Sequence, residues 1–202
     1  MDAIDTLMSE HRVIESVLDA LVAFSDEVRR NGTTEKEELA RFVAFVRGFA
    51  DACHHGKEEG VLFAAMVEHG FPRDGGPIAV MLQEHDEGRG LVGVLNARAE
   101  QPAPWSDADR QEIADVAFGF SQMLRQHIHK EDAVLYPMAE EHLPPEALQR
   151  VGEDCERFEA EKTGSGEHER FHALAESLVA RYAPASHPTA PSARPTRLGC
   201  CG

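Results

Sequence analysis

The segment His54-His55-Gly56-Lys57-Glu58-Glu59-Gly60-Val61-Leu62-Phe63 returns later in the chain as His127-Ile128-His129-Lys130-Glu131-Asp132-Ala133-Val134-Leu135-Tyr136. His, Lys, Glu, Val and Leu coincide, Asp132 stands for Glu59 and Tyr136 for Phe63, and Glu68-His69 recurs as Glu141-His142. The offset is 73 residues (127 less 54), and Glu10-His11 returns as Glu84-His85 at 74 (85 less 11). The chain therefore reads as a duplicated helical hairpin with approximate two-fold symmetry.

Around the repeat the hydrophobic pattern is helical. Ile4, Leu7, Met8, His11, Ile14, Leu18, Leu21 and Val22 recur at spacings of three and four, and Asn31-Gly32 offers a left-handed cap after them. Thr34 to Glu37 reads as a capping box for a second helix through Phe42, Phe45, Phe49, His54 and Leu62. Residues 70–77 form a Gly- and Pro-rich loop. A third helix carries Ile78, Met81, Leu82, His85 and Leu95 and breaks at Pro102 and Pro104. Ser106 or Asp107 caps a fourth, through Phe120, His127, Glu131 and Leu135, in which Pro137 predicts a kink or an early end. Pro144-Pro145 opens a shorter helix, and a last one runs from about Glu167 to Tyr182. No segment alternates with period two. The expected fold is all-α: an up-down-up-down four-helix bundle over residues 1–145, additional C-terminal helices packed on it at 146–183, and a disordered tail at 184–202.

Lys and Arg number 20 against 36 Asp and Glu, a formal net charge of −16. That balance excludes a basic footprint for nucleic acid or for an anionic membrane surface. No apolar run approaches the ~20 residues of a membrane span. Met1 is followed by Asp2 and Asp5 rather than by a basic and then apolar leader. Together with Cys53, Cys155, Cys200 and Cys201 in no CxxC pair, this places the chain in the cytoplasm with its thiols reduced. The unusual count is histidine, at 11.

His-to-Glu at i+4 puts both side chains on one helix face. The spacing alone is weak, since it also occurs at His11/Glu15, His55/Glu59, His142/Glu146 and His172/Glu176. Its recurrence inside a repeat, with a single His repeated on the partner helices, is much stronger. If the second and fourth helices face each other, Glu58 and Glu131 meet in a core flanked by His54, His127, His11 and His85. Two buried carboxylates without cations are costly, and two metal ions remove that cost. A nitrogen and oxygen donor set suits iron, manganese or zinc. Lys57 and Lys130, one residue before each Glu, are expected at the bundle surface.

In these residues the sequence resembles the hemerythrin-like (HHE cation-binding) family over about residues 1–145: the lone His11, the His54-to-Glu58 motif with Leu62-Phe63, Glu84-His85, and the His127-to-Glu131 motif with Leu135-Tyr136-Pro137. The resemblance implies two iron ions, oxo- or hydroxo-bridged, with Glu58 and Glu131 bridging, His11 and His54 capping one iron and His85 and His127 the other. The oxygen-carrying members supply a further His one turn along the third helix, where this chain has Arg89, and a more widely spaced Asp on the fourth. One iron then lacks a ligand, which water, a substrate or another His fills, with His168 or His172 as the candidate. An open position points to binding or turnover of oxygen-derived ligands, peroxide or nitric oxide, with catalase-like or peroxidase activity, through a redox partner the sequence does not identify. The alternative is an iron or oxygen sensor or store without turnover. A ferritin-like centre wants two Glu-x-x-His motifs, and only Glu169/His172 is found. His55 and Glu59, turned by about 100° from His54 and Glu58, read as outer or surface residues, as does His129. His69 and His142 read as surface, Tyr136, Leu62, Leu135 and Met66 as core, and Arg89 as the partner of a carboxylate or of an anion.

Overall fold

A computed structural model describes residues 3–164 and 166–182, and all regular structure in them is helical. Six continuous helices run α1 (Ala3–Asn31), α2 (36–68), α3 (Gly76–Glu100), α4 (107–142), α5 (145–163) and α6 (Glu167–Tyr182). The expected tail and Cys200-Cys201 lie outside the described residues. α1 ends where Gly32 takes φ +67°. Ser106 caps α4, its hydroxyl accepting from Asp109 N–H while the Asp109 carboxylate accepts from Ser106 N–H. The capping box expected at Thr34 does not form: Thr34 Oγ1 accepts from Trp105 N–H in the α3–α4 loop at 3.2 Å, and α2 starts at Lys36 without a side-chain cap.

α2 and α4 are not uniform. Val46–His55 and Glu58–Leu62 in α2 and Glu131–Leu135 in α4 are wide turns with i→i+5 hydrogen bonds. Pro137, expected to kink or end α4, does not end it; it lacks an N–H for the ladder and follows directly on the wide turn, which closes through Tyr136 N–H to Glu131 C=O. The helix continues to His142.

α4 packs on α1 and α3, α3 on α2, and α6 on α1 and α2. Two apolar cores result. One holds Ile14 to Val28 of α1 with Phe42, Phe49, Val92, Phe120, Leu124 and Phe171; the other holds Ile4 and Leu7 with Leu62, Phe63, Met66, Met81, Leu135, Tyr136 and Val151. In each of α1 to α4 the short stretch between the two cores carries histidine or glutamate: His11, His54 to Glu58, His85, and His127 to Glu131. Glycine seats the last helices against this level. A Cβ on Gly48 would come 2.0 Å from Phe171 Cζ, and one on Gly56 2.7 Å from Phe158 Cζ. No helix among the described residues is long and apolar enough to cross a membrane.

Candidate metal centre

His11, His54, His55, Glu58, His85, His127 and Glu131 are all buried at the level between the two cores. They form two groups whose donor atoms lie within 4.8 Å of one another: His55, Glu58, His85 and His127, and His11, His54, Glu58 and Glu131. Glu58 belongs to both. Glu131 Oε1 also lies 3.1 Å from His127 Nε2 in the first group, while its Oε2 lies 3.3 Å from His11 Nε2 in the second.

The imidazoles are aimed from behind. Nδ1 of His11 meets Asp132 (2.7 Å), that of His54 meets Glu10 (2.8 Å), that of His85 meets Glu59 (2.7 Å) and that of His127 meets Glu84 (2.9 Å). With Nδ1–H donating outward, each Nε2 presents a lone pair to the centre, the usual second-layer arrangement behind a metal ligand. A third layer neutralises the second: Arg12 bonds Asp132, Lys57 bonds Glu10, Arg89 bonds Glu59 and Lys130 bonds Glu84. The two halves of the repeat carry the same scheme. Glu10, His54 and Lys57 in one correspond to Glu84, His127 and Lys130 in the other, and Glu59 behind His85 corresponds to Asp132 behind His11.

The symmetry breaks at two positions. His55 stands where the second half has Ile128, and its ring stacks on His85 with centroids 3.8 Å apart. Tyr136 stands where the first half has Phe63; its hydroxyl donates to Glu58 Oε1 at 2.6 Å and lies 3.4 Å from His11 Nε2. Sequence reasoning put His55 outside the centre because one α-helical step turns it away from His54. His55 closes the wide turn Val46–His55, where an i→i+5 repeat separates neighbours by less than the α-helical ~100°. Two adjacent histidines were the only signal.

His168, proposed from sequence as the missing ligand, is not in either group. It is part-exposed, with Nε2 4.0 Å from Glu10 Oε1, in a trio with Glu10 and Glu159. Lys57 already bonds both of those carboxylates. His172 packs edge-on against Phe49. Lys57 departs from its sequence reading. It is buried rather than at the surface, because α5 brings Glu159 over it, whereas its repeat copy Lys130 remains 40% exposed. Glu59 sits behind His85, as one of its two sequence readings has it, and His129, His69 and His142 are exposed. Arg89 pairs with Asp51, Glu59 and Asp86.

The centre is built for positive charge. Five buried atoms there have no hydrogen-bond partner among the described residues: His54 Nε2, His55 Nδ1, Glu58 Oε2 and both carboxylate oxygens of Glu131. Buried polar groups are otherwise almost always paired. His85 Nε2 and His127 Nε2 face each other at 3.1 Å, a clash of lone pairs unless a proton or a cation lies between. Burial disfavours a charged imidazole at His11 and His85. The carboxylates of Asp132, Glu131 and Glu58 around the first and of Glu58 and Glu59 around the second outweigh it and carry both up to about 9. At His55 burial wins, and its pKa falls to about 4. Burial would raise the Glu58 carboxyl, but His54, His85 and His55 hold it well below the usual range. Burial, then Glu58 and Glu131, push the Tyr136 phenol upward, so it keeps its proton as a donor. Nitrogen and carboxylate donors, no thiolate, and unpaired lone pairs on opposed side chains fit a first-row metal cation.

Residues 2–139 match the hemerythrin HHE cation-binding domain. The chain belongs to that family. Comparison with the curated proteins and with the solved structures returned no match. As a hemerythrin HHE protein the chain is cation-binding, with iron the typical metal of the family.

A cavity of about 330 Å³ reaches the first group from the α2–α3 side, lined at its inner end by His55 and His85. None of its lining residues belongs to the second group. Its apolar lining includes Val46, Ala50, Val92, Phe120 and Leu124, while Leu62, Leu135 and Met66, read as core, lie in the other core.

Proposed function

We propose that this hemerythrin HHE protein is a cytoplasmic non-haem di-iron protein that binds oxygen-derived ligands or nitric oxide, with catalase-like or peroxidase turnover. On this reading residues 1–145 form an up-down-up-down four-helix bundle, and the helices of 146–183 cover one of its flanks. His55, His85 and His127 hold one iron, His11 and His54 hold the other, and Glu58 and Glu131 lie between them. The observation that carries the reading is the set of buried, unpartnered donor atoms between imidazoles that are each backed by a carboxylate.

Bound irons supply reversible one- and two-electron chemistry to a small ligand. The chain's own residues do the rest. Glu10, Asp132, Glu59 and Glu84 fix the imidazole tautomers. Tyr136 O–H holds Glu58 in one rotamer and offers the one buried phenolic proton near the centre. Phe63 and Leu62 exclude water from the far side. The cavity beside His55 gives small molecules a route to one metal position and makes the two positions unequal.

The test is metal analysis with the visible and near-ultraviolet spectrum of protein purified in air. Two irons per chain with charge-transfer bands that change on adding peroxide or nitric oxide are expected. Colourless protein carrying zinc or no metal would remove the redox chemistry and leave a sensor or structural role. The ligand set has its own test. His55→Leu is expected to lose one of the two metals or to alter the bands, while His168→Leu keeps both. Unchanged content and spectrum in His55→Leu would take His55 out of the ligand set.

A further inference from the structure

The cavity beside His55 is larger than the ligands proposed above require. Its volume of about 330 Å³ far exceeds the ~10–15 Å³ that one water needs on the same measure, whereas peroxide and nitric oxide have only two heavy atoms. It falls in the size class of sites that enclose organic molecules.

Its shape follows from the antiparallel contact of α2 and α3. His55 stacks on His85 at the inner end, and Asp51 pairs with Arg89 at 2.9 Å one turn along. The outer end is bounded by Arg47, Gly93 and Asn96. From His85 to Gly93 is eight residues, about 12 Å of helix. The lining between combines the Asp51–Arg89 pair with the apolar side chains of Val46, Ala50, Val92, Phe120 and Leu124.

The charges around this space are mostly used. Asp51 is bound by Arg89, and Glu84 by Lys130 and His127. Arg89 is bound by three carboxylates. Arg47 is exposed at the mouth and has no ion pair or hydrogen bond among the described residues, and the Asn96 side-chain amide has none either. In a chain of net charge −16, a guanidinium without a carboxylate partner, at the mouth of a cavity whose other charged groups are paired and whose wall includes Val92, Phe120 and Leu124, suits an anionic headgroup.

We propose that the α2–α3 cavity binds a small amphipathic organic anion, its carboxylate at Arg47 and Asn96 and its apolar tail against Val92, Phe120 and Leu124. Occupied, the cavity is no longer an open route to His55 and His85, so this ligand controls what reaches the first group. The inference goes beyond the di-iron reading and stands without it.

The probe is octanoate, titrated calorimetrically into the full-length protein as purified, with octylamine and acetate as comparators. Saturable binding of one octanoate per chain is expected, with octylamine and acetate each at least tenfold weaker. Arg47→Glu removes the headgroup partner and is expected to weaken octanoate at least tenfold. Gly93→Leu fills the cavity; a Cβ at Gly93 meets no atom within 4 Å, and leucine is the better helix former, so the variant folds. It is expected to weaken octanoate by a similar factor. Absence of saturable binding, equal binding of octylamine, or unchanged affinity in both variants would overturn the proposal. Metal content is measured on the same samples and is expected to match the wild type in both variants, so a failure of anion binding and a failure of the metal reading are told apart.

Discussion

Glu58→Gln is expected to cost the protein most of its bound metal and the stability that the metal confers. Glu58 belongs to both donor groups, with Oε1 held by Tyr136 and Oε2, without a hydrogen bond, 3.4 Å from His85 Nε2. Glutamine keeps the size and the bond from Tyr136, but offers a neutral amide where a carboxylate oxygen was. A ligand that binds only the folded chain stabilises it by about 4 kcal/mol at a thousandfold excess over Kd. For a domain of this length that corresponds to roughly 10 °C, at ~2–4 °C per kcal/mol. Metal analysis and calorimetric melting with and without chelator separate the contributions. The variant without chelator is expected to melt near the chelated wild type, and the two chelated proteins within a few degrees of each other. Glu131→Gln should behave alike, and Asp132→Asn should lose ~10–100-fold in metal affinity rather than the metal itself. Full metal and an unchanged melting temperature in Glu58→Gln would reject a ligand role.

Lys57→Met is expected to destabilise the chelated protein by about 3–5 kcal/mol, the usual cost of breaking a buried ion pair from one side. Lys57 and Glu10 are both at most 2% exposed, and removing the ammonium leaves a buried carboxylate facing the imidazoles of His54 and, at 4.0 Å, of part-exposed His168, with no fixed cation beside it. Lys130→Met, the same change in the other half of the repeat, is expected to cost about 1 kcal/mol or less, because Lys130 is 40% exposed and its bond to Glu84 is screened by solvent. The double variant Glu10→Gln/Lys57→Met should recover most of the loss. Denaturant melts in chelator give all three values free of metal effects. Equal costs for the two lysines would show that the burial difference has no energetic weight.

That pair of lysines also marks how far the sequence could be read. The repeat gives both the same neighbours in sequence, and one α-helical step from each Glu turns both away from the centre. What distinguishes them is α5, which lies over one face of the duplicated hairpin and has no counterpart over the other among the described residues. Its contact with α2 depends on glycines 56 and 60 meeting Phe158, and neither the hydrophobic period nor the repeat encodes that meeting. The helices, their order and the residues at the centre were legible because i,i+4 spacing and duplication reinforce each other. The layer behind them was legible only at Glu59, read as outer or surface; Glu10 and Glu84 precede His11 and His85 in sequence but back His54 and His127 on neighbouring helices. His55 was legible only as one of two adjacent histidines. The wide turn that brings it inward has no 3.6-residue signature, and the capping box at Thr34 was lost to a loop donor, Trp105 N–H, 71 residues away.

The interlocking of the repeat has one further consequence. His11 is steadied by an acid from the far half, as is His85, and each donor group draws side chains from both halves. Neither hairpin owns a complete centre. On the metal-bound reading the cation is a fastener between the two copies of the repeat, and its capture adds to the stability with which the halves are already joined. For such a molecule the supply of metal in its surroundings, as much as its sequence, sets how firmly it is folded.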